Sequence, residues 1–379
     1  MTFKVNITGD LAITYPYETN NINDDVISLF KEADFNVVNL ELPVTESDDA
    51  IDKTGPNIKG CKESIEKVFK VLDVDMVTLA NNHTLDYGEA GMKDTLAFCD
   101  ETGVYFVGAG MNLAEAQRTV YKTTSDGIIA CVSLCENEWT IGTESAAGAS
   151  PMDLIDNTRE IQEAKNKSDF VIVIIHGGNE YNAYPSPRMV KQYRYYVDCG
   201  ASAVISHHTH TVSGHEIYKG VPIAYSLGNF LFPKQKIMNP CWYSGLVATL
   251  TIEKGKKIEL KVTPLQQEAE NFSLSVASGE ASKSIEKTIS EVNAALSDSH
   301  LLQQKWMDFI SKVESGYIKR ISPLGGIQNR YFNYFFRVTG LYKLLLNRAY
   351  LKEHLNRIRC EAHLDATRQF LVNQLNKTK

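Results

Sequence analysis

The stretch ASAVISHHTHTVSGHEIYKGVPIAYSLGNFLF, residues 201–232, places a cluster of histidines directly after an apolar run. His207, His208, His210 and His215 fall within nine positions, although the whole chain contains only nine histidines. The short run before them, at 203–206, has the length and the β-branched residues of a buried strand. Because loops at the carboxyl ends of strands carry the reactive residues of α/β proteins, the stretch predicts a buried sheet with a functional site at its edge.

The same arrangement recurs along the first two thirds of the chain. Short apolar runs such as FNVVNL (35–40) and FVIVII (170–175) alternate with amphipathic helical segments, which predicts an α/β fold whose sheets are covered by helices. The segment YSGLVATLTIEKGKKIELKVTPL (243–265) predicts a hairpin, and from residue 268 the pattern is helical. We therefore expect an α/β domain at 1–267 and a helical, basic C-terminal region at 268–379.

The composition is that of an ordinary globular protein, with 43% hydrophobic and 22% charged residues. The seven cysteines contain no CxxC pair, which favours reduced thiols over a disulfide framework. The start, MTFKVNITGD, has no signal-peptide pattern, and no long uncharged apolar window occurs in the chain. These features predict a cytoplasmic protein without a membrane-spanning helix.

The C-terminal region is basic. From Lys319 to the end it has 12 Lys and Arg against three Asp and Glu, although the formal net charge of the whole chain is −7. Its segment RYFNYFFRVTGLYKLLLNRAYLKEHLNRIR (330–359) predicts helices that dock on the acidic body, contact another subunit, or lie on the inner face of an anionic membrane. No nucleic-acid-binding motif is present, so we expect no nucleic-acid partner.

Side chains that can bind metals follow five of the predicted strands. They are Asp10, Glu41, the run Asn81–Asn82–His83 with Asp86 beyond it, His176 with Glu180 beyond it, and the pair His208 and His210. Carboxylate, amide oxygen and imidazole together are the ligands of a divalent ion such as Mn²⁺, Zn²⁺ or Fe²⁺. Each residue alone is also explained by a structural role, but their common position at strand ends predicts one shared site.

Several of these segments resemble a known family in their order. ITGDLAIT, NLELPVT, LANNHTLDYGEAGMKDTL, IHGGNEY and GASAVISHHTHTVSGHEIYKGVPIAYSLGNFLF, within about residues 3–250, look like the motifs of the bacterial CapA family of capsule and poly-γ-glutamate synthesis proteins. The resemblance implies a four-layer α/β/β/α sandwich of the calcineurin-like metallophosphoesterase type, here followed by a helical tail. It also implies a metal-dependent hydrolase that acts on a phosphoester or on a peptide or γ-glutamyl polymer.

The resemblance also assigns roles to individual residues. It makes metal ligands of Asp10, Glu41, Asn82, His176, His208 and His210, and it turns His83 toward the substrate. Four positions depart from the related patterns: Ala12 stands where a histidine is usual, Glu41 where an aspartate is usual, Gly177 where a tryptophan is usual, and Thr209 where a proline is usual. One ion, two ions or none therefore remain open.

The remaining candidates surround this set. His83 is the expected acid or transition-state stabiliser, Asp86 the residue that orients it, and Glu180 a second catalytic group. The expected contacts of an anionic or peptide-like substrate are Asn81, Tyr181, Arg188 and Asn229. The polar loop at 135–154 is either a lid over the site or a plain surface connection.

Two other functions fit the same residues. A metal-free cleft of carboxylates and imidazoles could perform acid–base chemistry, such as the epimerisation of a peptide. A non-enzymatic scaffold that binds an acidic polymer within a synthase complex is the third interpretation.

Overall fold

Two mixed sheets lie face to face in the computed structural model, which describes residues 2–234, 239–318, 330–341 and 347–377. The first sheet has eight strands: β1 (Phe3–Leu11), β2 (Phe35–Leu40), β3 (Met76–Thr78), β4 (Tyr105–Val107), β13 (Asn229–Leu231), β14 (Ser244–Ile252), β15 (Glu259–Gln267) and β16 (Leu274–Val276). Their order is β16-β15-β14-β1-β2-β3-β4, and β13 also pairs with β1. Strands β1 to β4 are parallel, whereas β14, β15 and β16 pair antiparallel, so the expected hairpin is confirmed.

The second sheet has six strands in the order β11-β12-β10-β9-β7-β6. These strands are β6 (Val120–Thr124), β7 (Gly127–Cys135), β9 (Phe170–His176), β10 (Ala203–His207), β11 (His215–Tyr218) and β12 (Val221–Ala224). Its four central strands are parallel, and β6 and β11 add antiparallel edges. A separate pair is formed by β5 (Ala109–Gly110) and β8 (Gly148–Ala149).

Helices cover the outer face of each sheet. The first sheet is covered by α1 (Asp24–Lys31), α2 (Lys62–Val71) and α3 (Gly88–Thr102), and the short α4 (Leu113–Ala116) lies beside β5. The second sheet is covered by α5 (Leu154–Lys167), α6 (Pro187–Cys199) and α7 (Gly279–Ser297). The chain continues through α8 (Ser299–Ile318), α9 (Arg330–Thr339), α10 (Arg348–Arg359) and α11 (Glu361–Lys377).

The packing of the core confirms the four-layer α/β/β/α architecture. Side chains of the two sheets, among them Ile7, Val37, Ile172 and Ile205, pack together between the sheets. A second core joins the first sheet to its helices, and a third joins the second sheet to its own. Strands buried on both faces need apolar residues at nearly every position, which explains continuous runs such as FVIVII.

The region predicted to begin at residue 268 starts inside this sandwich. Strand β16 pairs with β15, and Ile285 and Ile289 of α7 pack into the core between the sheets. Helix α8 contacts both α7 and α11. Of the basic segment, residues 319–329 and 342–346 lie outside the described residues. Within the described ranges, no helix is both long and apolar enough to cross a membrane.

The topology brings the carboxyl ends of the central strands of both sheets to one edge. His176 pairs with His207 within the second sheet, and His207 Nε2 lies 2.7 Å from the carbonyl oxygen of Thr8 in the first. Gly9 allows the chain at Gly228 to approach, because a Cβ at Gly9 would lie 2.1 Å from the carbonyl oxygen of Gly228. The loops after β1, β2, β9 and β10 therefore meet.

Candidate metal centre and the cavity beside it

Five buried side chains from four strand ends form the centre of this edge. They are Asp10 of β1, Glu41 after β2, His176 at the end of β9, and His208 and His210 after β10. Potential ligand atoms of Glu41, His176 and His208 lie within 4.8 Å of one another, and so do those of Asp10, Glu41 and His210. The structure thus brings together five of the six predicted metal ligands in two groups of three that share Glu41.

Glu41 has no hydrogen-bond partner in this cluster. Both of its carboxylate oxygens are buried, and Oε1 lies 3.3 Å from His176 Nε2 and 3.9 Å from His210 Nε2. Burial, together with the charge of Asp10, raises the pKa of Glu41 well above its ordinary value. A buried carboxylate without donors is strongly unfavourable. A cation held by these residues would give the buried Glu41 carboxylate a partner, so this donor set fits a divalent metal.

The turn that carries His208 and His210 has an unusual backbone. His208 has φ 91° and His210 has φ 51°, in the left-handed region that non-glycine residues rarely adopt. Thr209 between them fixes the turn, because its Oγ1 donates to the Thr211 carbonyl oxygen at 3.1 Å or to Ser226 Oγ at 2.9 Å. Strain of this kind persists where surrounding structure enforces it, often at functional sites. Here it allows both imidazoles to contact the same cluster.

Polar neighbours orient the potential ligands. Asn39 Nδ2 donates to Asp10 Oδ1 at 2.6 Å, and the backbone N–H of His208 donates to Asp10 Oδ2 at 3.2 Å. Burial would raise the pKa of Asp10, but its hydrogen bond with His210 and the charge of His176 hold it well below its ordinary value. Residues that orient ligands in this way tune the affinity of a metal site. The role of Asn39 was not predicted from the sequence. A polar asparagine within the apolar run FNVVNL could have indicated it.

Asn229, predicted to contact substrate, lies behind the centre. Its Oδ1 is 2.9 Å from His210 Nδ1, and its Nδ2 donates to the carbonyl oxygen of Trp242 at 2.9 Å. Asn81 is similarly occupied, since Nδ2 donates to the Leu40 carbonyl oxygen and Oδ1 accepts from the backbone N–H of His83. Both residues therefore position their neighbours in this structure.

The Asn82–His83 turn completes the site. Asn82 Oδ1 lies 3.0 Å from His176 Nε2, which places this sixth predicted ligand beside the cluster. His83 Nδ1 lies 2.6 Å from Asp86 Oδ2, as the sequence predicts. Asp86 also forms an ion pair with Lys53, whose side chain is only 3% exposed. Lys53 was not predicted, because a lysine in the turn-rich stretch DKTGPN looks like an ordinary surface residue.

Two cavities meet at His83. One, of about 430 Å³, contacts Asn82, His83 and His208; the other, of about 520 Å³, contacts His210 and an aromatic group of Tyr15, Phe232 and Trp242. Glu180 and Tyr181, both exposed, line both cavities. The two predicted residues after β9 are thus within reach of a ligand at the centre.

The loop at 135–154 lies beside the first cavity. Glu138 lines it, and Trp139 Nε1 donates to Thr54 Oγ1 at 2.8 Å. Arg188, predicted to contact substrate, instead forms ion pairs with Glu136 and Asp365, and it does not line either cavity. Arg188 therefore binds two carboxylates of the chain itself in this structure.

Gly177 leaves room for Glu136. A Cβ at Gly177 would lie 2.6 Å from Glu136 Cγ, and the Glu136 carboxylate is already held by Arg188 and by the backbone N–H of Ala362. We expect Gly177→Ala to lower the free energy of unfolding by about 1–3 kcal/mol, because the added methyl group overpacks this site. Urea titrations of the two proteins measure the difference. Gly142→Ala, whose added methyl group would meet Gly148 at an ordinary 3.4 Å, is the control. Equal stability of the two variants would contradict a fixed Glu136.

Comparison with known proteins shows which proteins this chain resembles. The family profile "Bacterial capsule synthesis protein PGA_cap" matches residues 3–234. The capsule biosynthesis protein CapA of Bacillus anthracis is 33% identical over 224 residues, which is 57% of this chain and 54% of that protein. The PGA biosynthesis protein CapA of Bacillus subtilis is 32% identical over 229 residues, 58% of this chain and 59% of that protein. The chain thus spans a little over half the length of these curated relatives.

A crystal structure of a novel phosphatase from Mycoplasma pneumoniae aligns with 72% of this chain and 96% of its own, with TM-score 0.47 and 14% identity. The family profile, by contrast, covers more than half of the chain and every residue of the metal-ligand cluster. On this match, the chain belongs to the bacterial capsule synthesis protein family PGA_cap.

Proposed function

We propose that this protein is a metal-dependent hydrolase of capsule or poly-γ-glutamate biosynthesis, and that it cleaves an amide bond of a peptide-like or γ-glutamyl substrate. The names of its relatives support the biological setting. The arrangement of the cluster and the lining of the cavities support the chemistry.

The main support for this proposal is the buried Glu41 carboxylate, which belongs to both groups of potential ligands. Asp10, Glu41 and His210 would hold one ion, and Glu41, His176 and His208 the other. A divalent ion in such a site lowers the pKa of bound water and polarises the carbonyl or phosphoryl group that is attacked. Mn²⁺, Zn²⁺ and Fe²⁺ all accept this mixture of carboxylate and imidazole donors.

His83 is the proton donor of this proposal. Its Nδ1 is engaged by Asp86, so Nε2 is the atom left to exchange a proton with a leaving group. Asp86 fixes the orientation of the ring and favours its protonated form, whereas burial and the charge of Lys53 disfavour that form; the balance lowers the pKa of His83. Once protonated, a ring with a lowered pKa is a stronger acid toward a poor leaving group such as an amine, although a smaller fraction of the rings carries the proton at neutral pH.

The charges that line the first cavity favour an amide over a phosphate monoester. Three carboxylates, those of Glu138, Glu180 and Glu353, line it. Its cations Lys53 and Arg357 are close to Asp86 and Glu353, respectively. A dianionic phosphate would meet repulsion from the carboxylates of Glu138 and Glu180, whereas a peptide-like chain offers N–H donors to them.

A comparison of two chromogenic substrates tests this proposal. We expect metal-loaded protein to hydrolyse γ-glutamyl-p-nitroanilide faster than p-nitrophenyl phosphate, which is a phosphate monoester. Activity should disappear after dialysis against EDTA and return with Mn²⁺, Zn²⁺ or Fe²⁺. Chelator-resistant activity, with deuterium taken up from heavy water into a peptide substrate, would instead indicate an epimerase. Polymer production unaffected by Asp10→Ala would indicate a scaffold.

A further inference from the structure

The described C-terminal helices α10 and α11 lie beside the candidate centre. The family profile ends at residue 234, so it assigns nothing to these helices. They contact the loop after β7 and the loop after β9, which directly follows His176. The backbone N–H of Glu136, at the start of the first of these loops, donates to the carbonyl oxygen of His176 at 3.0 Å.

A partly buried ionic cluster joins α11 to these loops. Arg188, at the start of α6, donates through Nη2 to Glu136 Oε1 at 2.5 Å and through Nε to Asp365 of α11. Glu136 Oε2 accepts from the backbone N–H of Ala362 at 3.2 Å, which satisfies one of the unpaired N–H groups in the first turn of α11. The side chains of Glu136, Asp365 and Arg188 are 3%, 15% and 23% exposed, so the cluster is partly shielded from solvent and less screened than a surface ion pair.

Further contacts attach both helices over a wide area. Asn137 donates to Glu361 through its backbone N–H at 2.8 Å and through Nδ2 at 2.6 Å. The guanidinium of Arg359 lies over the ring of Trp139, 4.0 Å from its centroid. Asp52 forms ion pairs with Arg348 and Lys352 of α10. These contacts reach the loop that also carries Lys53.

An apolar contact holds α11 from its other side. Trp306 and Ile310 of α8 pack with Ala366 and Phe370 of α11, and all four are buried. Helix α8 follows α7 directly, and α7 packs in the core of the sandwich. The position of α11 is therefore fixed both by charge and by apolar burial.

The helices form part of the wall of the 430 Å³ cavity that contacts His83 and His208. Their residues in this wall are Glu353, Asn356, Arg357, Cys360, Ala362 and His363. Among them Arg357 is 6% exposed and its guanidinium lies 3.6 Å from Glu353 Oε2, and His363 adds an imidazole to the same wall. An anionic group of a substrate that extends away from the cleaved bond would meet these two side chains.

We propose that α10 and α11 complete the active site, fixed by the Glu136–Arg188–Asp365 cluster, and that Arg357 sets the affinity for an anionic substrate group that extends away from the cleaved bond. The role of Arg357 rests on the proposed hydrolase function, whereas the docking of the helices does not. The two parts therefore need separate measurements.

Cys360 reports on docking without any need for activity. It is 1% exposed, lies between α10 and α11, and its Sγ is 3.7 Å from Glu136 Oε2. In the full-length protein, we expect iodoacetamide to modify the exposed Cys241 quickly and Cys360 slowly, as measured by mass spectrometry of peptides. Asp365→Asn should speed the modification of Cys360 about 10-fold and leave Cys131, buried in the sandwich, unchanged.

The matched control is Asp156→Asn, which removes the aspartate of a surface Arg–Asp pair on α5. It should leave the Cys360 rate at the wild-type value. Modification of Cys360 as fast as that of Cys241 in the wild type would overturn the docking, as would an unchanged Cys360 rate in Asp365→Asn. Parallel acceleration at Cys131 would show global unfolding, and Glu136→Gln would then repeat the test.

The role of Arg357 in substrate affinity is tested with γ-glutamyl-p-nitroanilide. We expect Arg357→Gln to raise KM about 10-fold with kcat within twofold of wild type, because an interaction made equally with substrate and transition state affects KM alone. Arg159→Gln, at an exposed arginine of α5, is the control. An unchanged KM would overturn the role of Arg357. Absence of any turnover by the wild type would instead count against the hydrolase function and leave the docking result standing.

Discussion

Glu41→Gln should abolish both metal binding and hydrolysis while leaving the metal-free protein as stable as the wild type. The amide cannot supply the negative charge that both ligand groups share. Burial already raises the pKa of Glu41 well above its ordinary value, so metal-free wild-type protein favours the neutral carboxyl that glutamine imitates. The variant is therefore expected to fold normally.

Thermal unfolding with and without chelator measures this effect. Metal at about 1,000 times its Kd stabilises the native state by about 4 kcal/mol, so EDTA should lower the Tm of wild-type protein and leave that of Glu41→Gln unchanged. Glu163→Gln, which removes a surface carboxylate on α5, should respond to EDTA like wild type. An equal response of all three proteins would show that Glu41 does not hold metal.

His83→Gln should lower kcat by about 10²–10⁴-fold with little change in metal content. Loss of a positioned proton donor typically has this magnitude. His83 belongs to neither group of potential metal ligands, and its Nδ1 is engaged by Asp86. The loss should be smaller for an activated substrate such as the p-nitroanilide than for an alkyl amide, because a better leaving group needs less proton donation.

Steady-state kinetics together with elemental analysis separates this role from a structural one. His215→Gln makes the same substitution on β11, and it should retain wild-type kcat. If His83→Gln lost metal together with activity, His83 would act on the metal centre and not on the leaving group. Equal losses on both leaving groups would also contradict proton donation.

Much of the fold follows from sequence because its signals are local. Apolar runs, such as FVIVII, and their spacing from amphipathic segments specify strands and covering helices, and the structure confirms two mixed sheets between helical layers. Placement of polar residues at strand ends likewise predicted a shared site, since strand direction brings those ends to one edge. Asp10, Glu41, His176, His208 and His210 do converge there.

The contacts that sequence could not predict join distant segments. Arg188 pairs with Asp365, 177 residues later, and Lys53 pairs with Asp86 from a loop without secondary structure. Neither partner has a distinctive local pattern. The basic character of the C-terminal region left docking on the body and membrane contact open; α10 and α11 contact the body, whereas contact with a membrane or another subunit stays a prediction.

Anomalous diffraction from crystals grown with Mn²⁺ tests the central claim most directly, because it locates an ion without requiring a known substrate. We predict density within about 2.0–2.2 Å of a Glu41 oxygen, with His176 and His208 or Asp10 and His210 completing the coordination. Diffraction from Glu41→Gln crystals should show no such density. A wild-type map with no ion at Glu41, or with ions only at surface carboxylates, would contradict the account.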